Sequence, residues 1–246
     1  MSSIRSAPAV VVGIDGSRAA THAALWAVDE AISRDIPLRL VYVIDPLQTS
    51  GVPDGGHTVA RAALSDAQRA IDAIGKPVKI ETEVLWGRPL TKLMQESRSA
   101  AMICVGSVGL NHARRIGGTV ATGLAGAALC PVAVIHRPVR AAASPEVGAV
   151  VAGVDNGVVL RHAFEEARLR GVPLRTIGDG SGLAEAQLNR RLARWTRLYP
   201  DVPIEPCGAA VADSGQLFVT DSRTVRDLRG AHGVGCSMLA VPCGNL

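Results

Sequence analysis

The chain's 246 residues allow one large domain or two small ones. Hydrophobic residues make up 48% and charged residues 20%, which excludes a disordered chain, and because aromatics are only 3% the core must rest on Val, Leu, Ile and Ala. Lys plus Arg total 26 against 22 Asp plus Glu, and this net +4 is spread without a long run of like charges, so neither a nucleic-acid surface nor a stacking platform for single strands is expected.

In chain order, the apolar stretch 7–14 is stopped by Asp15, too early for a signal peptide. Val10–Ile14 reads instead as a short strand, wholly apolar as when helices cover both faces of a sheet. Ser17 is placed to cap a helix in which Ala23, Ala24, Ala27, Val28 and Ala31 recur at helical spacing. Pro37 opens a strand over Leu38–Ile44. Helices are expected near 59–74 and 90–99, and strands at 79–85 and 102–105. A last helix over 119–129 leads through Cys130-Pro131 into a strand at 132–135. The order βαβαβαβαβ predicts a parallel, doubly wound sheet with right-handed crossovers. The longest uncharged apolar stretch, 123–135, contains Pro131 and is shorter than the ~20 residues of a membrane span. Five cysteines without a Cys-x-x-Cys pair argue for a reducing, cytoplasmic setting, with Cys104 and Cys130 as small buried thiols.

The opening motif returns. Val10-Val-Val-Gly-Ile-Asp-Gly-Ser is echoed by Val150-Val-Ala-Gly-Val-Asp-Asn-Gly, His22-Ala23 by His162-Ala163, and Ile36-Pro-Leu-Arg39 by Val172-Pro-Leu-Arg175. Between the last two matches four residues have been lost, about one helical turn, so a shortened helix is expected in the second copy. The reading is α/β: two tandem Rossmann-like domains with five-stranded parallel sheets, 1–140 and 146–246, the second one shortened. In that copy 217–220 stands for the fourth strand, and Asp221-Ser-Arg-Thr-Val-Arg-Asp-Leu replaces a glycine loop with carboxylates. Little room is left between Pro206 and Gly215 for a helix. Asp155 is expected to cap the following helix, 183–198 to form an amphipathic helix with Arg190, Arg191, Arg194 and Arg197 outward, and Trp195 to lie in the core.

Ligands of doubly wound sheets bind beyond the carboxyl ends of the strands. There Asp15 stands on a glycine turn, able to accept from a ligand hydroxyl, to help hold a cation, or simply to cap the helix. Gly106 and Gly109 remove side chains where a ligand would approach the backbone, and Gly118 and Thr119 open a helix whose unpaired N–H groups favour phosphate oxygens. On this reading Gly106→Val removes binding without loss of thermal stability. His112, Arg114 and Arg115 lie in the intervening loop, as screening charges or as a solvated basic stretch.

These residues carry a resemblance. Gly13-Ile-Asp-Gly-Ser17, the strand end Tyr42-Val-Ile-Asp45, Gly106-x-x-Gly109 and Gly118-Thr119…Cys130-Pro-Val132 resemble the universal stress protein family. The tandem arrangement, with Ala24-Leu-Trp-Ala-Val-Asp-Glu-Ala31 and Arg88-Pro-Leu90, is similar to its actinobacterial, mycobacterial two-domain members linked to hypoxia and dormancy. The resemblance implies that Asp15 approaches the sugar or metal of ATP, that the backbone of Val43 meets adenine, and that Gly106, Gly109, Gly118, Thr119 and Val120 surround the phosphates, Mg2+ entering with the nucleotide. The family spacing Gly-2x-Gly-9x-Gly-Ser/Thr is one residue longer than here, and the adjacent Gly117 and Gly118 would absorb the difference.

The leading expectation is therefore a cytoplasmic stress-response protein that binds an adenine nucleotide in its first domain. It is not an enzyme beyond slow ATP hydrolysis, and it has no nucleic-acid or membrane partner. The alternative is a ligand-free interaction scaffold, in which sheet edges at 132–135 or 238–241 join two chains as a homodimer or the two domains as an intramolecular pair. The Ser-Gly-Gly-x-Asp-Ser signature of ATP pyrophosphatases, which share this strand order, is absent.

Overall fold

A computed structural model describes residues 8–47, 55–107, 120–136, 147–177, 185–207, 215–225 and 236–243. The chain divides into two compact units, Met1–Pro145 and Glu146–Leu246. The first contains β1 (Val10–Ile14), α1 (Arg18–Ser33), β2 (Leu38–Ile44), α2 (Gly55–Asp72), β3 (Ile80–Trp86), α3 (Pro89–Glu96), β4 (Met102–Ser107), α4 (Val120–Ala127) and β5 (Val132–His136). Its strands run parallel in the order β3-β2-β1-β4-β5. The architecture is thus α/β with a parallel sheet.

Why β1 is apolar throughout follows from its central place. Val10, Val11 and Val12 are each 0% exposed, because β2 and β4 flank the strand and helices lie over both its faces. On one face Leu93 of α3 reaches the register pair Gly13 and Val105, within 3.2 Å of a β-carbon built at Gly13. On the other lies α1, whose alanines bring the helix close while Trp26, 1% exposed, fills the space beside them. Ser17 caps α1 as expected, its hydroxyl accepting from the Ala20 N–H at 3.1 Å. α2 starts earlier than its apolar period because Gly55 and Gly56, poor helix formers, are part of its first turn. Cys104 and Cys130 are buried, and burial pushes the Cys130 thiol up to about 12, which keeps it protonated and unreactive.

The second unit contains β6 (Ala149–Gly153), α5 (Gly157–Arg170), β7 (Leu174–Ile177), α6 (Glu185–Leu198), β8 (Ile204–Cys207), β9 (Gln216–Asp221) and β10 (Ser237–Val241). Its parallel order β10-β9-β6-β7-β8 matches β5-β4-β1-β2-β3 strand for strand. The four-residue deletion is spread out. α5 has 14 residues against 16 in α1, and the flanking turns supply the rest. Segment 208–214, where little room was expected for a helix, lies outside the described residues; of the loop 221–228 expected to replace the glycines, 221–225 are described and 226–228 are not.

Two expectations for this unit are corrected. Asp155 is not the cap of α5: Asn156 is, its side-chain oxygen accepting from the Val158 and Val159 N–H groups, while Asp155 pairs with Arg191. The shorter turn shifts the cap by one residue. Trp195 is half-buried rather than core, stacked at 6.0 Å on the fully buried Phe164 and covered by the Arg194 guanidinium. No helix among the described residues is long and apolar enough to cross a membrane.

Candidate functional site

The helices that follow β1 and β4, α1 and α4, lie on opposite faces of the first unit's sheet, the arrangement that in doubly wound sheets opens a crevice at the carboxyl ends of the strands. Asp15 stands at its mouth, exposed, with one carboxylate oxygen accepting from the Ser17 N–H at 2.9 Å. That Asx turn needs the left-handed backbone at Gly16, φ 81°, and it leaves the helix capping to Ser17. Asp15 is therefore positioned by the turn, and its carboxylate is exposed.

Val43 sits near the end of β2, half-buried. The ladder between β1 and β2 stops at Ile14 and Tyr42, whereas that between β2 and β3 continues to Ile44 and Trp86. Val43 and Ile44 thus run on past the end of β1, and the main-chain edge on that side overhangs the crevice next to Asp15. The sequence places Val43 at a strand end but cannot show this overhang, which depends on register.

Gly106 has a different reason to be glycine from the one expected. A β-carbon there would lie 2.4 Å from the Ala19 carbonyl carbon and 2.6 Å from the Ala20 nitrogen. The bare position lets the first turn of α1 rest on β4, so Gly106→Val is a packing defect and does not spare stability. Val120 is the first residue of α4 and half-buried. Gly109, Gly118 and Thr119, with His112, Arg114 and Arg115, lie outside the described residues. A close approach that sequence reasoning missed is Gly123, where a β-carbon would meet Leu90 at 2.8 Å, seating α4 on α3; a glycine inside a helix was its signal. His136, paired in register with Ser107, was also missed; burial holds its imidazole below the ordinary value and so favours the neutral form.

The second unit differs at this point. Val10 pairs with Met102 and Val150 with Leu217, so the repeat sets Asp221 where the first unit has Gly106. Its carboxylate, 12% exposed, accepts from the Arg223 backbone N–H at 2.9 Å and from its guanidinium at 2.8 Å. The Asn156 amide also contacts Asp221 and lies 3.1 Å from the Cys243 sulfur. The corresponding crevice is lined by a charge pair and its satellites. Among the described residues no group of three or more His, Cys, Asp or Glu could hold a metal ion.

The family model of the universal stress proteins matches residues 8–136, the first unit's strands and helices together. The chain belongs to the universal stress protein family. Universal stress protein Rv3134c of Mycobacterium tuberculosis is 63% identical over 268 aligned positions covering 100% of both chains. Universal stress protein Rv2028c of the same organism is 39% identical, over 95% of this chain and 96% of its own. A universal stress protein structure from Archaeoglobus fulgidus superposes with a TM-score of 0.70 over 96% of this chain and 97% of its own; at 13% identity the likeness is one of fold.

Proposed function

We infer that this universal stress protein binds an adenine nucleotide, ATP in the first instance, at the carboxyl ends of β1, β2 and β4 of its first unit, and acts through the bound state as a cytoplasmic stress regulator. The observation that carries the reading is the overhang of Val43 beside the exposed carboxylate of Asp15. A main-chain edge suits the hydrogen-bonding rim of a purine, and a carboxylate one strand away suits ribose hydroxyls. Val120 at the start of α4 puts helix N–H groups on the β4 side. In this reading Gly109, Gly118 and Thr119 close around the phosphates, and Gly106 contributes by seating α1. Mg2+ comes as counter-ion of the phosphates, with Asp15 a carboxylate near enough to the strand ends to meet it.

Turnover is not part of the proposal. Between Gly106 and Thr119 the chain carries no Asp or Glu and only His112 as a base, whereas hydrolysis needs a group that orients water against the terminal phosphate. A second reading, a ligand-free scaffold, draws on the Asp221–Arg223 ion pair, which occupies in the second unit the strand-end position of Gly106 in the first.

The test is nucleotide released by heat from freshly purified protein, followed by calorimetric titration with ATP, ADP, AMP and cyclic AMP, with and without magnesium. Asp15→Asn keeps the Asx-turn acceptor and removes the charge. It is expected to weaken ATP binding about tenfold, the worth of one charge-assisted hydrogen bond, at unchanged melting temperature. No released nucleotide together with no heat at millimolar ATP favours the scaffold.

A further inference from the structure

Of the three tryptophans, Trp26 is core and Trp195 is held in an aromatic stack, but Trp86 is 45% exposed. It ends β3, the outermost strand beside β2, at the ligand-bearing end of the sheet. A half-exposed indole is a costly choice for a strand end, where Thr or Val would serve the ladder as well. The residue is also held still. The His57 ring of α2 packs against the indole at 5.2 Å and 68°, and the next residue, Gly87, bonds its N–H to the Ile44 carbonyl at 3.0 Å, tying the end of β3 to β2.

Spacing gives this wall a meaning. β3, β2, β1 and β4 lie side by side, so the ends of β3 and β4 are three strand spacings apart, about 14 Å. A ligand lying across these ends has a flat aromatic wall at one extremity, the Val43 main chain and Asp15 in the middle, and the α4 N-terminus at the other. That sequence fits a planar base, a sugar and an extended anionic chain. We propose that Trp86 is the base-recognising wall of the site, so that the protein selects nucleotides by ring stacking at β3 as well as by contacts to the phosphates. The inference rests on the reading of the site as a nucleotide site and adds to it the residue that reads the base.

The test uses the full chain with ATP and, as a probe without a base, inorganic tripolyphosphate. ATP is expected to change the tryptophan emission of the wild type, and W86F is expected to abolish that change although Trp26 and Trp195 remain. W86A is expected to bind ATP about tenfold or more weakly, as the loss of one base–aromatic stack implies, and tripolyphosphate no differently from wild type. W86F retains most of the ATP affinity, and it decides the matter should W86A fail to fold. Equal ATP affinity in wild type and W86A, or saturation with ATP at unchanged emission, overturns the role of Trp86 and leaves the nucleotide site standing. Absence of ATP binding by the wild type overturns both.

Discussion

A β-carbon at position 106 would come within 2.4 Å of the Ala19 carbonyl carbon, and both belong to parts of the chain that rotamer changes cannot move. Gly106→Ala is therefore expected to cost about 2 kcal/mol or more, read as a drop of several degrees in the melting temperature; an unchanged melt would show that α1 does not rest on this strand. A second pair of residues tests the backbone itself. Asp35 and Gly171 follow α1 and α5 at matching places, both with positive φ, 51° and 63°. Asp35→Gly should stabilise the protein by a few tenths to about 1 kcal/mol, and Gly171→Ala should destabilise it by about 1 kcal/mol, both measurable by urea unfolding. The sequence shows which residues are glycine. It does not show that one serves a helix crossing and another a left-handed turn, because that needs the atoms on the far side.

Elements bounded by breakers were the ones most legible in the sequence. β2 begins after Pro37 and ends where the Asp45 carboxylate accepts from the Leu47 N–H at 3.0 Å, so its limits coincide with those expected. The start of α2 is hidden in the sequence by the two glycines of its first turn, and the cap Asn156 by the repeat, which points to Asp155. The substitution of Asp221 for Gly106 shows how far one position can alter an element's surroundings, since it sets a carboxylate beside the N-terminus of α5. Burial pushes the Asp221 carboxyl up, but hydrogen bonds and charge from Arg223 outweigh it and hold the group below its ordinary value. A carboxyl depressed in the folded state stabilises above its unfolded value of about 3.9, and this contribution is lost as pH falls through the folded value. Asp221→Asn should accordingly be less stable than wild type at pH 7, with the gap narrowing below pH 4 in urea titrations at the two pH values; a gap independent of pH would mean that the charge contributes nothing.

On the scale of the whole molecule, two units share one strand order and diverge where ligands of such sheets bind. The duplication was visible in the repeated strand, His-Ala and Pro-Leu-Arg motifs, since strand and turn chemistry persist in the residues themselves. The candidate site was legible only in part. Asp15 and Val43 could be placed at strand ends, and the carboxylate of Asp221 at the second site could be read from the replaced glycine loop, but the overhang of β2 and the exposure of the Trp86 indole arise from register and packing between distant segments. The account predicts an asymmetric molecule, with a nucleotide site in the first unit and none in the second. Calorimetric titration of the full chain with ATP and magnesium tests this most directly. Binding of one nucleotide per chain is the predicted result, and either two per chain or no heat at millimolar ATP contradicts it.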